Sequence, residues 1–467
     1  MTDVRDFVLY RNFGAYTEVP PEYYTHFNVK RGLRNADGTG VVAGVTSISN
    51  VHGYLTDEGV KVPTHGKLTL RGYDINDLVD SVAAEGRFGY EELAYLLWAG
   101  DLPTQQALDA FNERLDYWRN LPDGFIASLI MNCPSKDAMN MLARSVLLLY
   151  AHDEDADAIT REHEVDTALQ LMSRLPRLAV LSYLAHGQRE GKAMFINPPK
   201  AGLSTAETIL YMLRPSMEWT DEEAKMLDIM LMLHAEHGGG NNSTFTTRVL
   251  TSSGTDAYSA YAGGIGSLKG PRHGGANLKA MAMQEDCKAS VADWTDEGQV
   301  ADYLRKVLNK EANDGSGLIY GMGHAVYTLS DPRAVICKRY AEQLASGTEY
   351  EAQFELIETI ERLTPELFVS EKGSSKAICA NIDMYSGLVY QMMGIPKDLY
   401  TPLFAVSRLA GWAAHRFEEI VSGKRIIRPA YKAMNMYREY VPMDKRELIM
   451  QEEVTQDIHV AEDVPND

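Results

Sequence analysis

The chain has 467 residues, 45% of them hydrophobic, and a formal net charge of −20, so it can bury a sizeable core but lacks the basic footprint of a general nucleic-acid binder. Four cysteines (Cys133, Cys287, Cys337 and Cys379) lie without metal-ligand spacing and suit a reducing compartment. No apolar run reaches the roughly 18 residues of a membrane span, and Met1–Asp6 opens neither a secretory signal nor a transit peptide; a cytoplasmic protein with no membrane partner is expected.

Length suggests two or three domains, or one large domain with a smaller one attached. Residues 1–40 are aromatic with little periodicity, and suit a segment that wraps over the body or a partner subunit. Val45–Ile48, Val60–Val62 and Leu68–Leu70 predict short strands. From Tyr73 the text turns helical. Asp74–Val79 and Tyr90–Trp98 carry helical apolar spacing, and Gly100 with Leu102-Pro103-Thr104 closes one helix and opens another. Ser204 with Glu207, Thr220 with Glu223, and Thr348 with Glu351 predict three capping boxes. Asp331-Pro332 and Thr401-Pro402 predict two further helix starts, with proline at the first helical position, and Gly423 ends the second of these helices. Residues 152–157 predict a solvated turn, and the acidic residues 451–467 a loose end. Helix signals fill most of residues 74–423, so an all-α fold with short β elements near the N-terminus is expected.

The stretch from Gly264 to Asn277 sets glycines on both sides of one histidine, His273. A backbone so permissive can approach a ligand closely. Ala276–Met283 is a good helix former, so His273 stands near a helix N-terminus, where the dipole disfavours imidazolium and leaves a neutral hydrogen-bond donor. No Gly-Lys-Ser/Thr follows, which excludes the usual nucleotide loop.

Three further histidines stand out among the twelve: His234 and His237 at the end of an apolar helix, and His324 in Gly321-Met322-Gly323-His324. His234-x-x-His237 could offer two metal ligands, but the third ligand and the His-Glu-x-x-His spacing are missing, and His234 reads better as a satisfied core histidine. Arg333 falls in the first turn after Asp331-Pro332, where a carboxylate would meet guanidinium and free amides together. Arg408 lies within the helix after Thr401-Pro402, and Arg428 lies beyond that helix. Asp383 stands among apolar neighbours, where desolvation would raise its pKa toward use as a base. Together these groups suit one chemistry. A carboxylate base removes a proton beside a carbonyl, a neutral histidine stabilises the enol, a second histidine polarises an electrophilic carbonyl, and arginines hold a di- or tricarboxylate.

The motifs come in order: Arg71-Gly72-Tyr73-Asp74-Ile75 with Leu102-Pro103-Thr104, His234-Ala235-Glu236-His237 with Asn241, Gly270–Asn277, Gly321–His324 through Asp331-Pro332-Arg333, Asn381-Ile382-Asp383, and Arg408 through Arg428-Pro429. In this order, across residues 42–430, the chain resembles the citrate synthase family. The resemblance implies that Asp383 abstracts the methyl proton of acetyl-CoA, His273 hydrogen-bonds the thioester oxygen, and His324 polarises the oxaloacetate carbonyl. It implies that His237, Arg333 and Arg408 bind oxaloacetate carboxylates, that Asn241 supports that pocket, and that Arg428 comes from the other subunit of a homodimer. It implies a large helical domain of residues 1–274 and 386–467, and a small domain of residues 275–385 that closes over the substrates. Neither a metal nor a cofactor beyond the CoA substrate is implied.

The chain departs from the family pattern at Arg272, where leucine is more usual, at Ala325, where many bacterial relatives carry arginine, and at Ala380, in place of a common proline. Arg272 and Lys376 are the residues assigned to the CoA side. Two alternatives stand beside citrate synthesis. A 2-methylcitrate synthase would enolise propionyl-CoA, and one methylene discriminates by only about 1–3 kcal/mol. An inert ligand-binding homologue would have no need of Asp383, His273 and His324 together.

Overall fold

A computed structural model describes residues 18–35, 38–57, 60–373, 377–435 and 437–446. Two compact units emerge, residues 42–427 forming one. The other comprises the described residues of 18–41 and 428–446, and holds the short helix α1 (Pro21–His26), a bridge between Arg34 and Gly40, and 3₁₀ turns at Arg31–Leu33 and Met443–Lys445.

The large unit begins with a three-stranded antiparallel sheet, β1 (Ser49–Asp57), β2 (Val60–Leu70) and β3 (Tyr73–Asp74). The first two strands are longer than the sequence suggests, and Val45–Ile48 precedes β1 rather than forming it. Ser49 pairs with Leu70 and His52 with Lys67, then the register shifts before Tyr54 pairs with Pro63. Gly53 sits at this bulge. A Cβ on Gly53 would lie 2.8 Å from the Val326 carbonyl oxygen, and one on Gly66 would lie 2.6 Å from the Tyr327 ring. The hairpin therefore packs backbone-close against the loop that carries His324.

Helices follow: α2 (Ile75–Glu85), α3 (Tyr90–Ala99), α4 (Gln105–Tyr117), α5 (Ala138–Tyr150), α6 (Arg161–Arg189), α7 (Thr205–Leu213), α8 (Asp221–Ala235), α9 (Asn242–Ser252), α10 (Ala257–Leu268), α11 (Ala276–Ser290), α12 (Glu297–Leu308), α13 (Pro332–Ala345), α14 (Glu351–Lys372), α15 (Asp383–Met392) and α16 (Tyr400–Ser422). The fold is all-α with its few strands near the N-terminus. The centre is α16, buried without a break from Tyr400 to Arg416 and packed on α3, α6, α8 and α9. A helix apolar on every side belongs in such a core.

Most helix starts follow from local chemistry. Asp74, Thr104 and Asp331 cap α2, α4 and α13, and both Ser204 with Glu207 and Thr220 with Glu223 form complete capping boxes. Buried acids from elsewhere cap two starts. Asp228 of α8 accepts the amides of Gly89 and Tyr90 at 2.6 and 3.2 Å, where α3 begins, and Glu91 accepts the Thr205 amide at 2.6 Å on α7.

Three expectations need correction. Thr348 and Glu351 form no capping box: α14 starts after Tyr350, and the Thr348 hydroxyl accepts the Tyr350 amide instead. Thr401-Pro402 does not open α16, because a 3₁₀ turn at Lys397–Leu399 runs straight into Tyr400 and places Pro402 third in the helix. Gly264 and Gly266 are not loop residues. They lie within α10, where Gly264 lets the helix approach Trp412, a Cβ there falling 3.2 Å from the indole. Only residues 270–275 form the turn before α11. Residues 152–157 do form a turn, although Asp153 is engaged by His163 at 2.9 Å and Tyr258 at 2.7 Å. Residues 451–467 lie outside the described residues.

Candidate active site

Four loops converge on one electrostatic neighbourhood. The first follows α8. The helix ends at Ala235, so His234 and His237 do not share a helical face. His234 is buried, sets Nδ1 2.8 Å from the Met230 carbonyl and packs edge-on to Phe404. Burial first, then Arg333 and Arg408, hold it down to about 3. It is a neutral core histidine. His237 sets Nε2 3.2 Å from the Tyr327 hydroxyl, with its ring edge-on to His324 at 5.1 Å. Burial pushes its pKa well below the usual value, and Arg333, His324 and Arg408 push in the same direction. Asn241 caps α9 by accepting the Thr244 amide at 3.1 Å, while its Nδ2 donates to the Gly238 carbonyl. It shapes the loop after His237 from behind.

His273 occupies the second loop, three residues before α11. Its Nε2 lies 2.9 Å from Ser243 Oγ and receives the Ser243 backbone amide at 3.3 Å. A backbone N–H can only donate, so Nε2 is an acceptor and the neutral ring carries its proton on Nδ1. Burial, with Arg408 and Arg333, holds His273 down to about 4. Neighbouring Arg272 is exposed and makes no side-chain hydrogen bond or ion pair among the described residues.

The third loop carries His324. Gly323 adopts φ +92°, a conformation that glycine takes at no steric cost. The amides of Val326 and Tyr327 both donate to His324 Nδ1 at 3.0 Å. Nδ1 is therefore the acceptor and Nε2 bears the proton, the reverse of His273. Tyr327 stacks on the His324 ring at 4.5 Å. Beyond this loop, Asp331 does more than cap α13. Its carboxylate accepts the Arg333 amide and also pairs with the Arg333 guanidinium at 2.7 and 3.1 Å, both side chains almost fully buried.

The fourth loop leads into α15, and Asp383 is its first residue. Asn381 accepts the Asp383 amide at 2.9 Å. Burial raises the Asp383 carboxyl to about 7, Arg333 opposing the rise and Asp331 adding to it. This is the range of a carboxylate poised to take and return a proton near neutrality.

Arg408 completes the group from α16. Its Nε donates to the His234 carbonyl at 2.6 Å and its guanidinium lies over Phe404 at 4.7 Å. It is 1% exposed and has no carboxylate in contact among the described residues. Burial lowers it to about 9, with Glu236 pulling the other way. A buried cation so placed calls for an anionic ligand.

Glu236 and His415 carry no role in the sequence reading. Glu236 accepts from Ser49 Oγ at 2.8 Å, the Gly238 amide at 2.5 Å and His415 Nε2 at 2.9 Å, and both acid and imidazole are wholly buried. Arg248 donates to His415 Nδ1 at 2.8 Å, which makes that imidazole neutral and Nε2 its donor. The signal was a glutamate between two histidines at the end of an apolar helix; its partner stands far away in sequence.

The sequence-predicted residues His237, His273, His324, Arg333, Asp383 and Arg408 thus share one neighbourhood, with Asn241 behind His237. Lys376 lies outside the described residues. Arg428 belongs to the other compact unit, where its side chain is exposed. Among the described residues, no group of three or more His, Cys, Asp or Glu could hold a metal ion.

Comparison with known proteins agrees with this geometry. The family described as Citrate synthase, C-terminal domain, matches residues 35–430. A citrate synthase of Haloferax volcanii is 36% identical over 387 residues, covering 82% of this chain and 93% of the relative. A 2-methylcitrate synthase of Corynebacterium glutamicum is 33% identical over 430 residues, covering 90% of this chain and 99% of the relative. Among solved structures, the citrate synthase of Thermoplasma acidophilum, in ternary complex with carboxymethyl coenzyme A and oxaloacetate, has a TM-score of 0.73 at 28% identity, covering 90% of this chain and 99% of that one. The chain is an acyltransferase-type enzyme, and it belongs to the citrate synthase family.

Proposed function

We propose that the protein condenses acetyl-CoA with oxaloacetate and water to give citrate and free CoA. The observation that carries this reading is the opposed pair of buried groups: a carboxyl raised to about 7 at Asp383, and a guanidinium without a carboxylate partner at Arg408. One suits proton abstraction, the other an anionic substrate.

Asp383 takes a proton from the acetyl methyl group. His273 donates from Nδ1 to the thioester oxygen, so the enol forms without a free negative charge. The enol carbon attacks the ketone carbon of oxaloacetate. His324 donates from Nε2 to that ketone oxygen as it becomes a hydroxyl. Arg408, Arg333 and His237 hold the oxaloacetate carboxylates, Arg333 with the donors that Asp331 leaves unused. Water then cleaves the citryl thioester and releases the CoA thiol. No cofactor beyond CoA enters this scheme.

Three further parts of the proposal follow the family pattern. The protein works as a cytoplasmic homodimer, with Arg428 of each chain completing the site of the other. Residues 275–385 act as a small domain that closes when oxaloacetate binds. Arg272 and Lys376 serve the CoA side. Mixing Asp383→Ala chains with Arg428→Ala chains tests the shared site: partial recovery of activity is expected, and none in verified hybrid dimers would reject it.

A second reading rests on the Corynebacterium glutamicum relative, a 2-methylcitrate synthase, which would make propionyl-CoA the substrate here. Oxaloacetate-dependent release of CoA thiol separates the two. Higher kcat/KM with acetyl-CoA supports citrate synthesis, and higher kcat/KM with propionyl-CoA supports the alternative. Release with neither rejects both.

A further inference from the structure

On α6, Arg177 follows Pro176 in a stretch buried on nearly every side. The Arg177 residue is 9% exposed, and its Nε is sealed from solvent without a hydrogen-bond partner. Among the described residues its guanidinium makes no hydrogen bond and no ion pair. A buried, uncompensated guanidinium is costly, and structures that retain one generally supply a counter-charge.

Arg177 lines a small cavity with Arg119, Lys200, Thr208 and Tyr211. The wall holds three cations and no acid. Arg119 is already satisfied by Asp116, Thr208 Oγ1 and the Leu203 carbonyl. Asp116 is engaged by Arg119 and by the Gly202 amide at 2.8 Å, and makes no ion pair with Arg177. Lys200 is exposed, leans toward the Tyr211 ring at 5.9 Å and forms no ion pair among the described residues. Two positive side chains without an ion-pair partner among the described residues therefore line one cavity, in a chain whose net charge is −20.

The cavity measures only about 10 Å³, room for the centre of one water-sized atom. A water there would satisfy the Nε–H but leave the charge. One oxygen of an oxyanion would do both, with the remainder of the group at the mouth beside Lys200.

We propose that Arg177 and Lys200 form a binding site for one small oxyanion, a carboxylate or phosphate group, separate from the catalytic neighbourhood. It would bind whether or not the proposed reaction is correct.

The test uses the full-length protein in a chloride-poor buffer, with saturating oxaloacetate present or absent so that occupancy of the catalytic arginines is controlled. Melting temperature is followed while inorganic phosphate, acetate or chloride is titrated. Phosphate or acetate should raise the wild-type value by about 2 °C or more, saturably, with and without oxaloacetate. Comparing their midpoints tells which oxyanion the site prefers. Arg177→Met should melt at or above wild type without anion, because a bare buried charge is gone, and should lose the saturable rise. Lys200→Ala, at an exposed position that folding does not need, should weaken the midpoint about threefold to tenfold. An equal response in wild type and both variants would overturn the proposal. So would a response to chloride as strong as to phosphate. A third overturning result is Arg177→Met dissociating an oligomer in sedimentation while wild type ignores added anions, since a partner chain would then supply the counter-charge.

Discussion

The side-chain amide of Asn381 donates to the Gly323 carbonyl at 2.9 Å, so the loop carrying His324 is pinned to the loop carrying Asp383. The same side chain accepts the Asp383 amide at 2.9 Å, and the Asn381 backbone amide reaches the Gly321 carbonyl at 2.9 Å. Proton donor and proton acceptor are thereby set by one residue, two positions before Asp383. Asn381→Ala should lower kcat by about 10²-fold, because displacement of about 1 Å costs that much. Stability should fall by only about 1 kcal/mol, the worth of a half-buried hydrogen bond. Steady-state kinetics with a parallel melting curve decides. An unchanged kcat would mean that the two loops hold their places without this tether.

Asp383 must be ionised to act as a base, and its carboxyl stands at about 7. The rate should therefore fall as pH drops below about 7. Asp383→Asn should lose about 10²–10⁴-fold in turnover and in exchange of acetyl methyl hydrogens into deuterated solvent. Stability should move the other way. A raised folded pKa means the folded state holds this proton more tightly between about pH 4 and pH 7, so folding weakens as pH rises through that window. The ionised carboxylate is then a net cost, at most about 4 kcal/mol. Asp383→Asn should melt above wild type at pH 8 and alongside it at pH 4. Exchange at the wild-type rate in the Asn variant would remove Asp383 from the mechanism.

The two imidazoles with opposite tautomers offer a spectroscopic check. His273 receives an amide at Nε2 and His324 receives two at Nδ1. Nitrogen-15 spectra of selectively labelled protein should assign the ring proton to Nδ1 of His273 and to Nε2 of His324. The His273 signals should not titrate between pH 5 and 8, since burial and the two arginines keep the ring neutral down to about 4. A titration near pH 6.5 would show a charged donor instead.

Glu236 predicts an acid limit to folding. Burial alone would raise its carboxyl, but the hydrogen bonds from His415 and Ser49 and the charge of Arg408 outweigh that and hold it below an ordinary 4.5. A depressed carboxylate contributes stability above its unfolded pKa and loses it as pH falls through the folded one. The contribution is lost as pH falls below about 4.5. Glu236→Gln keeps an acceptor for the Gly238 amide but removes the charge that faces Arg408. It should unfold more readily at pH 7 and show a flatter stability profile below pH 4.5. Denaturant titrations across that range measure both, and parallel profiles for variant and wild type would contradict the assignment.

What could be read beforehand was what lies close along the chain. The Asp331 cap, the two complete capping boxes and the Asp74 start depend on side chains within three residues of the amides they satisfy. Asp383 was legible because apolar neighbours in sequence remained its neighbours in space. Glu236 and His415 are 179 residues apart, and no spacing rule joins them. Glycine-rich text misled at Gly264, and Gly263 beside it shows why. A Cβ on Gly263 would fall 2.2 Å from Leu250, and one on Gly264 would fall 2.7 Å from Thr247, so both residues let α10 lie close to α9. Tertiary closeness, rather than loop freedom, explains these glycines. At Thr348 the expected box failed because the helix begins at Glu351 itself, two residues too late for Glu351 to be its third position.

The β1–β2 hairpin looks like an appendage to a helical protein, yet Gly53 and Gly66 present bare backbone to the His324 loop, with no room for a methyl group at either place. Strand propensity would favour a β-branched residue at both positions. Chain segments that pair well and segments that leave the histidine undisturbed therefore impose opposing demands on the same two sites. Randomised libraries at positions 53 and 66 would enrich glycine under selection for turnover and branched residues under selection for sheet formation alone.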